Sequence, residues 1–208
     1  MTKSLKTKRA LVIGLGNIAL RHRKNLKVLF PNIFIIAVPA SGSLTGQNIE
    51  YIDQIILSLD DAIKQNIDIG IVASPSSFHA IHAKKLLLAK IPCLIEKPIT
   101  NNFEEARELL KIQNQTGTPS CVGYCLRYLP SSLKMKKLIE KNIIGHIYNV
   151  SVCAGQFLPD WRSLKNFKNS VSAKKNLGGG VLLELSHEID YIQWLLGPVK
   201  VHYAKLRS

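Results

Sequence analysis

No apolar run in the 208-residue chain approaches the roughly 20 residues that a membrane span requires, so no transmembrane segment is expected. The first nine residues, Met1 to Arg9, are basic but lack the apolar stretch of a secretory signal. They predict a short frayed tail on a cytoplasmic protein. Cysteine is scarce, at four residues. The spacing of Cys121 and Cys125 is not that of a zinc knuckle, and no histidine pair accompanies them. No metal site or disulfide is therefore expected. Cys93, Cys121, Cys125 and Cys153 lie in or near apolar strands and predict buried, reduced thiols. Internal repeats are absent. Acidic residues are half as frequent as basic ones, 14 against 28, which leaves a net charge of +14. That charge raises the question of nucleic acid. Lys and Arg are spread along the chain, notably at 21–27, 84–90, 134–141 and 162–175, and no recognition-helix, zinc-finger or RNA-binding signature is present. They read as solvated helix faces, compatible with attraction of anionic small molecules such as a phosphorylated or nucleotide-linked sugar.

What the chain does contain is a glycine turn in an informative place. Ala10-Leu11-Val12-Ile13 reads as a buried parallel strand. Gly14-Leu15-Gly16-Asn17-Ile18-Ala19 follows, and then Ile18, Leu26, Leu29 and Phe30 recur at helical spacing. This is G-x-G-x-x-A between a strand and a helix, about 30 residues before a second strand. Gly14 allows the tight turn, Gly16 lets the backbone approach a pyrophosphate, and Ala19 lets helix and strand pack closely. The helix N-terminus offers free N–H groups to the anion.

Strand and helix signals then alternate. Strands are predicted at 33–38, 68–73, 92–96 and 120–124. Helical patterns follow Ser58 and occupy 77–89 and 102–116, the last closed by Gly117. Such alternation implies an α/β Rossmann-type fold, a doubly wound parallel sheet over residues 1–125. The character then changes. A basic amphipathic helix at 131–141, a strand at 147–153, a polar loop at 159–176, a glycine-led apolar helix to Leu196 and a strand at 199–206 predict the incomplete start of an α+β domain over 126–208.

Glu96-Lys97-Pro98 falls at the carboxyl end of a central strand, the edge where open α/β sheets bind ligands. Side chains alternate along a strand, so Glu96 and Lys97 are expected to point opposite ways. A lysine that exchanges protons near neutral pH needs burial or a positive neighbour. On the helix after Gly178-Gly179-Gly180, Glu184, His187, Glu188 and Tyr191 form one stripe, and helical spacing lets Glu184 reach His187. His187 is a natural proton acceptor near neutral pH.

Taken in order, these motifs resemble the Gfo/Idh/MocA oxidoreductases. The resemblance rests on the glycine turn with Arg21-His22 behind it, Ser74-Pro75 with His79, Glu96-Lys97-Pro98, and the glycine-led helix with His187 and Asp190. It covers essentially the whole chain. Pro159-Asp160-Trp161-Arg162, Ser170 to Ala173 and Gly178 to Gly197 look most like members linked to bacterial surface-sugar (polysaccharide) biosynthesis. The resemblance implies a dehydrogenase using NAD or NADP on a sugar or nucleotide-sugar substrate, with hydride moved between a ring carbon and nicotinamide C4. By the same resemblance, Lys97 contacts the reacting oxygen, His187 exchanges the proton, and Glu184 takes the place of an acidic partner. Gly14, Gly16, Asn17 and Ile18 hold the pyrophosphate, and Ser74, Pro75, His79 and Glu96 line the cofactor side.

Three features depart from the family pattern. Glu184 stands three residues before His187, where many members have an Asp four residues before. The end of the second strand, Val38-Pro39-Ala40-Ser41, has neither an acid for a ribose 2′-hydroxyl nor an Arg for a 2′-phosphate. Family chains generally run on by roughly a further third, completing a sheet that closes the substrate site. A partial sheet leaves apolar edges uncovered, which predicts weak solubility or homo-oligomer formation through the second-domain sheet. The alternative expectation is a truncated, catalytically silent remnant that only binds dinucleotide.

Overall fold

The computed structural model describes residues 8–44, 49–161 and 167–206. The start of the basic tail, residues 45–47 of the polar loop after β2 and Arg162 of the Pro159 motif lie outside the described residues. Six strands form one sheet: β1 (Arg9–Ile13), β2 (Phe34–Val38), β3 (Gln54–Ile55), β4 (Ile69–Val72), β5 (Cys93–Ile95) and β6 (Ser120–Val122). Every pairing is parallel, in the order β3-β2-β1-β4-β5-β6. The chain winds outward through β2 and β3, returns to place β4 beside β1, and then winds the other way. That reversal opens a crevice outside the carboxyl ends of β1 and β4, where this class of sheet binds ligands.

The central strands β1, β2 and β4 are apolar on both faces because helices cover both. Leu11 and Ile13 of β1 join Ile36, Val72, Leu86 and Leu109 in a core under α2 (Leu59–Ile63), α3 (His79–Leu88) and α4 (Phe103–Thr116). Ala10 and Val12, of opposite parity, pack with Ala19 and Leu26 of α1 (Asn17–Leu29) on the other face. Local chemistry sets the helix ends. Asn102 accepts from the N–H groups of Glu104 and Glu105 at 2.8 and 3.2 Å, and Gly117 closes α4 at φ +65°.

Beyond β6 the chain forms α5 (Pro130–Glu140), the short α6 (Leu158–Trp161), α7 (Val181–Glu184) and α8 (Ser186–Leu196). Three expectations are corrected here. The strands predicted at 147–153 and 199–206 do not form, because each lacks a neighbouring strand to satisfy its backbone. Tyr148 and Tyr203 stand 90% and 80% exposed. The predicted continuous helix to Leu196 is broken at Leu185. The four thiols are free, but only Cys93 is buried; Cys121, Cys125 and Cys153 are exposed. Burial pushes the Cys93 thiol up to about 11.

Candidate active site

Gly14 sits where β1 ends and the sheet reverses. Its φ of +114° lies in the region that favours glycine, and a Cβ there would stand 2.4 Å from the Ala73 carbonyl oxygen on the neighbouring strand end. Its N–H donates to the Val38 carbonyl at 2.8 Å, which ties the turn to β2. Gly16 differs: its φ is −75°, and a Cβ would meet nothing within 4 Å. It precedes α1, whose N-terminus has no side-chain cap and no acidic residue in its first turn, whereas Ser58 and Asn102 cap α2 and α4. An open glycine before uncapped N–H groups is a cradle that fits a pyrophosphate. Asn17 and Gly16 are exposed there, and Ile18 is half-buried.

Beneath this turn Arg23 is only 2% exposed. Its Nε donates to the Glu50 carbonyl at 3.0 Å and its Nη1 to the Gly14 carbonyl at 3.4 Å. The basic run at 21–27 alone would put it on a solvated helix face. Its burial is a long-range property that the helical pattern does not show.

Ser74 and Pro75 continue β4 into the crevice. The Ser74 hydroxyl is 3.0 Å from His82 Nδ1, and both residues are buried. His79 is 1% exposed and lies below the crevice floor. Its Nε2 faces the Ser74 carbonyl at 2.9 Å and its Nδ1 the Pro98 carbonyl at 2.8 Å. The neutral ring can donate to either carbonyl but to one at a time, so His79 packs between the two strand ends and does not face a ligand. Burial lowers its pKa, against the opposing pull of the two carbonyls.

At the end of β5 the two neighbours diverge as alternation predicts. Glu96 turns to α1, where its Oε1 is 2.7 Å from His22 Nε2, and its Oε2 accepts the Lys97 N–H at 3.2 Å. Lys97, joined to Pro98 by a cis peptide, turns to α7. Its Nζ donates to the Glu184 carbonyl at 2.9 Å and lies 3.5 Å from the Glu184 carboxylate. The helix break explains that contact. The Glu188 N–H bonds the Leu185 carbonyl, so the Glu184 carbonyl is left for the ammonium. Glu184 thus pairs with Lys97, where sequence spacing had set it against His187.

His187, on the first turn of α8, stands edge-on to the Tyr124 ring at 5.6 Å. Its Nδ1 is buried and has no partner among the described residues. Burial lowers its pKa, the Lys97 charge lowers it further, and nearby carboxylates oppose. The imidazole is therefore neutral at pH 7 and able to take a proton. α8 is tied to the segment after β6 by Arg127, whose Nε donates to Asp190 Oδ2 at 2.7 Å while Nη2 meets Oδ1. The loop before α7 reaches the crevice as well: Ser76 Oγ donates to the Leu177 carbonyl at 3.3 Å, and a Cβ on Gly178 would stand 1.8 Å from that hydroxyl.

The structure therefore brings Lys97, Glu184 and His187 into one cluster. It sets Gly14, Gly16, Asn17 and Ile18 at the turn and places Ser74 and Pro75 at the end of β4. Sequence reasoning assigned no role to His22, Tyr124, Arg127 or Ser76. Arg21-His22 and Asp190 stood within the recurring motifs, and that was the available signal.

The sheet order, the glycine turn and the uncapped α1 define a Rossmann-type dinucleotide-binding fold. Residues 8–124 match the family described as "Oxidoreductase family, NAD-binding Rossmann fold", and residues 132–208 match the GFO/IDH/MocA C-terminal domain. The chain belongs to the Gfo/Idh/MocA oxidoreductase family. Among curated relatives, a D-xylose dehydrogenase of Paenarthrobacter nicotinovorans is 29% identical over 71% of this chain and 38% of its own length. An inositol 2-dehydrogenase of Corynebacterium glutamicum (strain R) is 27% identical over 100% of this chain and 60% of its own. The fold is shared with the WlbA dehydrogenase of Bordetella pertussis, solved with NADH and UDP-GlcNAcA (TM-score 0.71, 22% identity, 93% of this chain and 59% of that one). It is shared too with scyllo-inositol dehydrogenase of Lactobacillus casei, solved with NAD(H) and scyllo-inositol (TM-score 0.72, 21% identity, 92% and 57%). The chain spans 60% or less of the length of each of these proteins.

Proposed function

We propose that the protein is an NAD(P)-dependent dehydrogenase acting on a ring alcohol of a sugar, cyclitol or nucleotide-linked sugar. The observation that carries this reading is the meeting of Lys97, from the carboxyl end of β5, with Glu184 of α7, at the same edge of the sheet as the open Gly16 turn. The dinucleotide, when bound, would accept or supply the hydride. Gly14, Gly16, Asn17 and Ile18 would hold its pyrophosphate, and Ser74 and Pro75 would line the nicotinamide side. The Lys97 ammonium, held by Glu184, would donate a hydrogen bond to the reacting oxygen and favour negative charge there. His187, kept neutral, would take the hydroxyl proton during oxidation and return it during reduction. Relatives bound to or named for sugars, inositols and a nucleotide-linked hexuronic acid support this substrate class.

A second reading, dinucleotide binding without turnover, is favoured by one observation: segments 147–153 and 199–206 form no sheet that would wall the substrate side. Titration with NADH and NADPH, followed by nicotinamide fluorescence, tests the shared premise. Saturable binding, lost in Gly16→Trp, is expected; no binding of either cofactor would overturn both readings. The end of β2 carries no carboxylate, so the two titrations together read the preference. Turnover of inositols, free sugars or UDP-hexuronic acids, abolished in Lys97→Ala, would separate the enzyme from the silent binder.

A further inference from the structure

We propose that His22 is a positioning residue for Lys97, acting through the Glu96 carboxylate. Glu96 occupies a strand end at the crevice, where an acid would ordinarily be read as a ligand for the cofactor. Its exposure is only 8%, and neither oxygen is free. Oε1 is held by His22 Nε2 at 2.7 Å, and Oε2 accepts the backbone N–H of Lys97 at 3.2 Å. Gly123 lies against this carboxyl group: a Cβ there would stand 3.4 Å from the carboxyl carbon and from both oxygens, at van der Waals contact.

Burial alone would push this carboxyl up. The hydrogen bond and charge of His22, then the Lys97 N–H and the Arg21 charge, bring it below the usual glutamate range. The carboxylate so maintained fixes the main chain at the residue whose side chain must reach Glu184 and the site. His22 also lies on α1, the helix whose first turn forms the proposed pyrophosphate cradle. A single buried bridge thus ties that helix to the base of Lys97, and loss of the imidazole leaves a buried acid that protonates and releases the strand end.

The functional meaning rests on the dehydrogenase reading, but the test does not. Competitive acetylation of amines with acetic anhydride, read by mass spectrometry, reports how firmly each lysine is held. In the full chain, His22→Ala is expected to raise Lys97 labelling several-fold while Lys84 and Lys136 stay unchanged. His22→Gln, whose amide can still donate to Glu96, is expected to restore most of the protection. Should His22→Ala fail to fold, Glu96→Leu, of similar size and without an acceptor for the Lys97 N–H, is expected to give the same rise confined to Lys97. Adding His22→Gln to Glu96→Leu is then expected to give no further rise. Unchanged Lys97 labelling, a rise shared by Lys84 and Lys136, or additive effects in the double variant would each overturn the proposal. Failure of wild-type NADH binding would sink the dehydrogenase reading and leave the labelling result standing.

Discussion

Gly14 and Gly16 differ by two positions, and the structure gives them different work. Alanine at 14 meets the Ala73 carbonyl at 2.4 Å from a backbone at φ +114°, so it must strain the turn or part β1 from β4. Urea unfolding of Gly14→Ala is expected to show a loss of at least about 2 kcal/mol. Gly16→Ala enters open space at an ordinary φ, and its stability is expected to stay within about 0.5 kcal/mol of wild type. Equal losses in the two variants would contradict this division. His82 supplies a pH dependence. Burial first, then the charges of His79 and Lys85, lower its pKa from 6.5 to about 4. The unfolded chain therefore binds a proton that the folded chain refuses. Stability from this group is complete above pH 6.5 and is lost as pH falls towards 4, on the order of 3 kcal/mol in all. Melting temperatures of His82→Gln between pH 7 and 5 are expected to fall less steeply than those of wild type; parallel curves would refute it. Residues such as Gly14 are readable in sequence because their neighbours specify the turn. The His22–Glu96 bridge spans 74 positions and has no local signature.

At the scale of elements, β1, α1 and α4 are visible in sequence because each carries its own period and its own ends. β3 is not: two residues, Gln54 and Ile55, owe their strand character to pairing with Ile36 and Ala37 of β2. The break between α7 and α8 was hidden for a related reason. The 3.6-residue pattern runs through Leu185, while the ammonium that takes up the Glu184 carbonyl comes from residue 97. α8 itself depends on a tie outside its sequence, the Arg127–Asp190 pair. Arg127 is 39% exposed, so the pair contributes at most about 1 kcal/mol. Arg127→Met is expected to speed amide exchange in α8 by up to roughly fivefold and leave β1 and β4 at wild-type rates. Hydrogen-exchange mass spectrometry resolves the two regions. Acceleration across the sheet would show instead that the pair holds the whole fold.

For the molecule as a whole, the nucleotide-binding half is legible in the sequence, and the region after β6 departs furthest from expectation. Alternating apolar residues at Tyr148, Val150 and Val152, and at Val199, Val201 and Tyr203, have the period of strands. Period alone does not make a strand without a neighbour to bond, and all six side chains stand in solvent. Such surfaces associate. Sedimentation velocity is expected to show a mass that grows with protein concentration and falls back towards the monomer in Val150→Lys and Val201→Lys; a concentration-independent monomer would refute this. The order of parts along the chain carries one more consequence. The sheet and its glycine turn are complete by β6, while Glu184 and His187 arrive only with α7 and α8. On the ribosome, the glycine turn and the strand ends around it are therefore fully synthesised well before Glu184 and His187 emerge, so a nascent chain can meet a dinucleotide before the cluster around Lys97 is complete.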